Sequence, residues 1–189
     1  FVALLAVGAA AAHHFGYLDR LLPGGLGARL IPKDMKLLAY FGPDTRELLV
    51  LQATEVELRL PEETRRKLEQ DWRELQQKSG VDLREDVDAF VAADGLAVIR
   101  GRFDWTKLGP WLQSEGYTLT QLGGVPAAVK PRTVDVALDG KYLLLGQRAE
   151  LERALERKRQ DKGLADGSPI VRAIDEIGWK HTVVGGVVS

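Results

Sequence analysis

Three two-residue connections constrain this chain more than any other feature of its sequence. Residues 87–93 and 96–100 flank Asp94-Gly95, residues 117–122 and 125–129 flank Gly123-Gly124, and residues 134–138 and 141–145 flank Asp139-Gly140. A two-residue β-hairpin needs positive φ at one or both central positions, and Asp-Gly and Gly-Gly supply it with little steric cost. Each flanking run is short and rich in Val, Leu, Ala and Thr. The pattern therefore predicts an antiparallel sheet assembled from hairpins.

Helices fill the intervals. Residues 61–78 begin on Pro61 with Glu62 and Glu63 in the first turn, carry Leu68, Trp72 and Leu75 at helical spacing, and stop at Ser79-Gly80. The apolar stripe is narrow, and Arg65, Arg66, Lys67, Glu69, Asp71, Arg73 and Glu74 read as a solvated face. Asp104 can cap a short helix bearing Trp105, Leu108, Trp111 and Leu112, with Pro110 expected to end it early. Residues 148–162 form a second charged helix with Leu151, Ala154 and Leu155 inward, and Ser168-Pro169 starts a third carrying Ile170, Val171, Ile174 and Ile177. Upstream, 36–41 and 47–52 read as strands about the turn Gly42-Pro43-Asp44-Thr45, the second run having a helical alternative capped by Asp44. The fold class is α+β: an antiparallel sheet with helices packed on one face, spanning 36–189.

Before that domain lies an apolar stretch. Residues 1–22 carry no charge until Asp19-Arg20, and Phe15 and Tyr17 stand where a helix would leave a bilayer's hydrocarbon. The reading is an N-terminal membrane-anchor helix, truncated because it opens on Phe. A signal-peptide core and a buried helix are the alternatives. Residues 23–35, with Pro23-Gly24-Gly25-Leu26-Gly27, form a linker, since a phosphate-binding loop would need a preceding strand and a following helix with its lysine and hydroxyl. The strand-like run at 182–188 offers an edge to another strand and suggests a cut C-terminus, with a second similar half completing the sheet.

Composition removes several functions. Lys and Arg total 26 against 27 Asp and Glu, so no basic field exists to gather nucleic acid. There is no cysteine, which excludes thiolate metal sites and cysteine nucleophiles. Histidines are His13, His14 and His181, and serines 79, 114, 168 and 189 have no nucleophile-elbow context. Asp82, Glu85, Asp86 and Asp88 are the densest carboxylate group, but their spacing lacks the turn glycine and closing glutamate of an EF-hand. They read as a helix-to-strand connection in which Asp82 and Asp86 satisfy free amides.

The stretch 80–87 (GVDLREDV), followed by Gly101-Arg102-Phe103-Asp104, Asp139-Gly140 and Leu143-Leu144-Leu145-Gly146, resembles uncharacterised membrane-anchored exported proteins of bacteria in which an α+β module recurs. The resemblance covers 36–189. It implies the location and the fold, and transfers no catalytic residue.

Of Trp72, Trp105, Trp111 and Trp179, the pair on the Asp104-capped helix marks the candidate interaction face, Trp105, Leu108, Trp111 and Leu112. The resulting expectation is a non-enzymatic, membrane-tethered module on the periplasmic side of a bacterial inner membrane. It uses no cofactor or metal, binds no nucleic acid, and has protein partners in a membrane complex. A small-ligand or lipid-binding module with an apolar pocket, and an enzyme whose carboxylates meet only in three dimensions, are the rival readings.

Overall fold

A computed structural model of the chain describes residues 35–45, 47–52, 62–82, 85–177 and 183–187. In chain order the elements are α1 (Met35–Leu38), β1 (Glu47–Gln52), α2 (Glu62–Ser79), β2 (Val87–Ala93), β3 (Leu96–Gly101), α3 (Trp105–Ser114), β4 (Thr118–Leu122), β5 (Val125–Val129), β6 (Asp135–Asp139), β7 (Tyr142–Gly146), α4 (Arg148–Arg159), α5 (Pro169–Ile177) and β8 (Val183–Val187). The strands form one eight-stranded sheet in the order β4-β5-β6-β7-β3-β2-β1-β8. All neighbours run antiparallel. The apolar segment 1–22, the linker up to residue 34, Trp179 and His181 lie outside the described residues. Among the described residues no helix is long and apolar enough to cross a membrane.

Turn chemistry sets the hairpins. Asp94 and Gly95 have φ of 50° and 76°, and Gly123 and Gly124 have φ of 55° and 83°, the doubly positive signature of type I′ turns. The third connection differs from its sequence reading by one residue. Asp139 pairs with Tyr142, so the turn is Gly140-Lys141, with positive φ (62°) at Gly140 alone of the two, as a type II′ turn requires. Asp139 stays in the ladder, where its carboxylate meets partners from two other elements.

Helices cover both faces of the sheet, which corrects the expectation of one covered face. On the first face Ala89, Val91, Val98, Ala127, Ala137 and Leu144 pack with Leu38, Phe41, Leu151, Leu155 and Ile170 from α1, the turn after it, α4 and α5. On the second, Ile99, Ala128, Val136, Leu143 and Leu145 pack with Leu75 of α2 and Leu108, Trp111 and Leu112 of α3. Every residue of β7 is buried, and so are the first four of β6. A strand apolar on both sides, such as Tyr142-Leu143-Leu144-Leu145, cannot leave one face to water without exposing large side chains. A register shift between Val87 and Ala89 inserts an extra residue into β2, placing Val87 in the second cluster and Ala89 in the first.

Two local expectations also change. Residues 36–41 are not a strand: Met35–Leu38 is a helical turn, closed by a Phe41 amide that donates to the Leu38 carbonyl at 3.1 Å. Leu37, Leu38, Tyr40 and Phe41 are all buried on one side of the sheet, whereas a strand would send alternate side chains away from it. Pro110 does not end α3 early, and the helix runs to Ser114. There the Glu115 amide donates to the carbonyls of Trp111 (3.0 Å) and Leu112 (3.1 Å).

Candidate functional site

The tryptophan-bearing helix turns inward. Asp104 caps it as expected, accepting from the Thr106 amide at 2.9 Å and the Thr106 hydroxyl at 2.6 Å. Those two bonds, the hydroxyl's first, hold the Asp104 carboxyl below its ordinary value. Leu108, Trp111 and Leu112 are buried in the second core cluster, and Trp105 packs half-buried against it. The face proposed for docking is therefore occupied by the chain's own sheet, a correction to the sequence reading. An amphipathic stripe looks alike in sequence whether it meets a partner or the core.

The carboxylate group at 82–88 serves its connection. Asp86 accepts from the Asp82 amide at 2.8 Å, and Asp82 accepts from the Glu85 amide at 3.3 Å and from Gln76 Nε2 at 2.8 Å. Arg102 reaches Asp86 at 3.2 Å and Arg100 reaches Asp88 at 2.5 Å. Asp82, Asp86 and Asp88 thus each have a donor; Arg102 ties the residue after β3 to the loop that precedes β2, and Arg100 joins β3 to Asp88 of β2.

A second polar cluster had no signal in the sequence. Asp139 at the end of β6 accepts from Tyr40 Oη at 3.0 Å and from Lys158 Nζ of α4 at 2.6 Å. The Lys158 ammonium lies 5.0 Å from the Tyr40 ring centre and 5.6 Å from that of Tyr142, and the two rings meet edge to face at 5.6 Å. This is a clamp of cation–π and charge-assisted bonds joining the α1 turn, the sheet and α4.

Beside it, a cleft of about 190 Å³ opens between the α1–β1 connection, the β2–β3 turn and α4, lined in part by Asp44, Asp94, Glu150, Arg153 and Arg157. Its floor is held by Thr45, whose hydroxyl donates to Asp94 at 3.2 Å, while Arg153 pairs with Glu150. The lining is charged, unlike the apolar pocket a lipid or small hydrophobic ligand would need.

The feature that stands apart is β4. Thr118, Leu119, Thr120 and Gln121 are exposed, and only Leu122 is buried. Among the described residues β4 pairs with β5 alone and ends the sheet. Strand edges in natural proteins are commonly blunted by lysine, proline or a bulge. This one carries none of these over 118–122, and Leu119, 38% exposed, is its second residue. The run at 182–188, which the sequence marked as an edge, pairs through β8 with β1 at the opposite end of the sheet.

The fold and this edge define an α+β domain with an eight-stranded antiparallel sheet between two helical layers. No family model and no curated protein matches the chain. Among solved structures it is similar to "Structure of crystal form I of TP0453", at 12% identity and a TM-score of 0.44, over 69% of this chain and 52% of that one. Crystal form III of TP0453 matches at the same identity and TM-score, over 65% and 51%. The chain spans about half the length of the structures it matches.

Proposed function

We propose that the chain is a membrane-tethered module outside the cytoplasm that acts by binding another polypeptide, as an accessory subunit of a membrane complex or an envelope scaffold, and not by catalysis. The observation that carries this reading is the exposed, uncharged strand β4, which ends the sheet among the described residues. A free strand edge offers a row of backbone donors and acceptors, the chemistry by which one sheet recruits a strand from another chain. Support for the tether comes from the uncharged opening of the sequence, residues 1–18. Neutral charge balance favours a protein partner over nucleic acid.

The test is a gentle detergent extraction from the native membranes, followed by sizing and mass spectrometry of the material that co-migrates. Recovery in the membrane fraction within a stoichiometric complex is the expected result. Recovery in the soluble fraction, or as a lone chain in detergent, would overturn the reading.

A further inference from the structure

Resting on that reading, we infer that the strand β4 recruits is β4 of a second copy of this chain, paired antiparallel about Thr120. The phase of the β4–β5 ladder fixes which backbone groups of β4 face outward. In a two-residue hairpin the residues flanking the turn form a hydrogen-bonded pair, and such pairs then alternate with non-bonded ones. Leu122–Val125, Thr120–Ala127 and Thr118–Val129 are accordingly the bonded pairs, while Gln121–Pro126 and Leu119–Ala128 are the non-bonded ones. Pro126 checks this phase independently, because it has no N–H to give and falls on a non-bonded pair. The amides and carbonyls of Leu119 and Gln121 therefore point outward, away from β5.

That outward row is complementary to itself. Rotating a second β4 about an axis through Thr120 sets Leu119 opposite Gln121 of the other copy, and Gln121 opposite its Leu119. Both pairs can exchange N–H···O=C bonds in each direction. Thr120 then faces Thr120 across a non-bonded position, where side chains come closest and a threonine pair is favourable. The two Leu119 side chains become diagonal neighbours on one face, within reach of each other and partly removed from water. No charge lies within 118–122, so no like charges oppose across the axis. The contact is isologous and closes as a dimer, in contrast to a β4-to-β8 contact, which would propagate. A common tether would hold the two edges at high effective concentration on one surface, so a contact this small suffices.

The absence of native cysteine makes the register directly readable. The full chain carrying Thr120→Cys, in its membrane or in detergent, is oxidised and run on a non-reducing gel. Across a two-fold axis at residue 120 the introduced thiols face each other at a spacing that a disulfide spans with small adjustment. Thr118→Cys places its thiols four positions out of register. The expected result is a disulfide dimer from Thr120→Cys at several times the yield from Thr118→Cys, and hetero-crosslinking between Leu119→Cys and Gln121→Cys chains. Equal yields at 118 and 120, or no dimer from either, overturn the inference. In that event, wild-type chain that still co-migrates with a different protein leaves the tethered-module reading standing, whereas wild-type chain that runs alone removes both.

Discussion

β7 and β4 are five-residue strands built by the same kind of tight hairpin, yet one lies in the interior of the sheet and the other at its edge. Tyr142–Gly146 is buried at every position, with β6 on one side, β3 on the other and a helical layer over each face. Thr118–Leu122 is exposed at four of five positions and, among the described residues, paired on one side only. Turn chemistry thus decides where hairpins form, while burial decides what each strand is for. The inner strand supplies stability through apolar contact on both faces, and the outer one contributes less to the core and keeps its backbone available to a partner.

The contrast can be broken most sharply at Leu144, which is fully buried in the first core cluster. Leu144→Ala should lower unfolding free energy by about 2–5 kcal/mol, from lost transfer energy plus the cavity left behind, measured by urea titration of the full chain in detergent. A smaller loss is expected at the clamp. Lys158→Ala removes the bond to Asp139 and the cation between Tyr40 and Tyr142, at roughly 1–2 kcal/mol for a charge-assisted bond in a partly covered setting. The same titration checks it, and no change would mean the clamp is incidental to stability.

At Asp104 the effect is smaller and depends on pH. The Thr106 hydroxyl and amide hold its carboxyl below the ordinary value. Its contribution is therefore present above the unfolded carboxylate's pKa and fades as pH falls through the lower folded value. Asp104→Asn keeps a capping acceptor and should flatten that part of the pH–stability profile, as thermal melts across the acid range would register. Least affected is the edge itself: Leu119→Lys should change stability by no more than about 0.5 kcal/mol, yet abolish strand addition by placing a charge on β4. A large stability loss there would mean that β4 belongs to the core after all.

How much of this the sequence disclosed follows from the range of the interaction responsible. Asp94-Gly95 and Gly123-Gly124 announce their hairpins because a positive-φ turn is specified by the two residues that occupy it. Asp104 and the inward set Leu151, Ala154 and Leu155 are legible for the same reason, through capping and helical period. The turn at Gly140-Lys141 slipped by one residue because glycine serves the second position of a type I′ turn as well as the first of a type II′ turn, and Asp139's bond to Tyr40, 99 positions away, is recorded by no local pattern. The clamp on Lys158 is invisible in sequence for the same reason. Cover on both faces was partly legible, since a run such as Tyr142-Leu143-Leu144-Leu145 does not alternate. Trp105 and Trp111 misled because an apolar helical stripe does not say what it will meet. The open edge left one faint trace, the weakly apolar Thr118-Leu119-Thr120-Gln121 among strands rich in Val and Leu. That β4 ends the sheet, and that β3 lies beside β7, are facts of topology.

Gln121→Pro probes the proposed contact surface, the outward backbone of β4, with little disturbance of the rest of the sheet. Proline there removes an amide that points away from β5, leaves the β4–β5 ladder its bonded pairs, and is tolerated on an edge strand. Wild-type and Gln121→Pro chains are extracted from membranes under identical mild conditions and sized side by side, with circular dichroism to verify that both are folded. The wild type is expected to travel in a larger assembly and the folded variant to travel alone. If the folded variant co-migrates with the wild type in an assembly of the same size, strand addition at β4 is not how this protein binds.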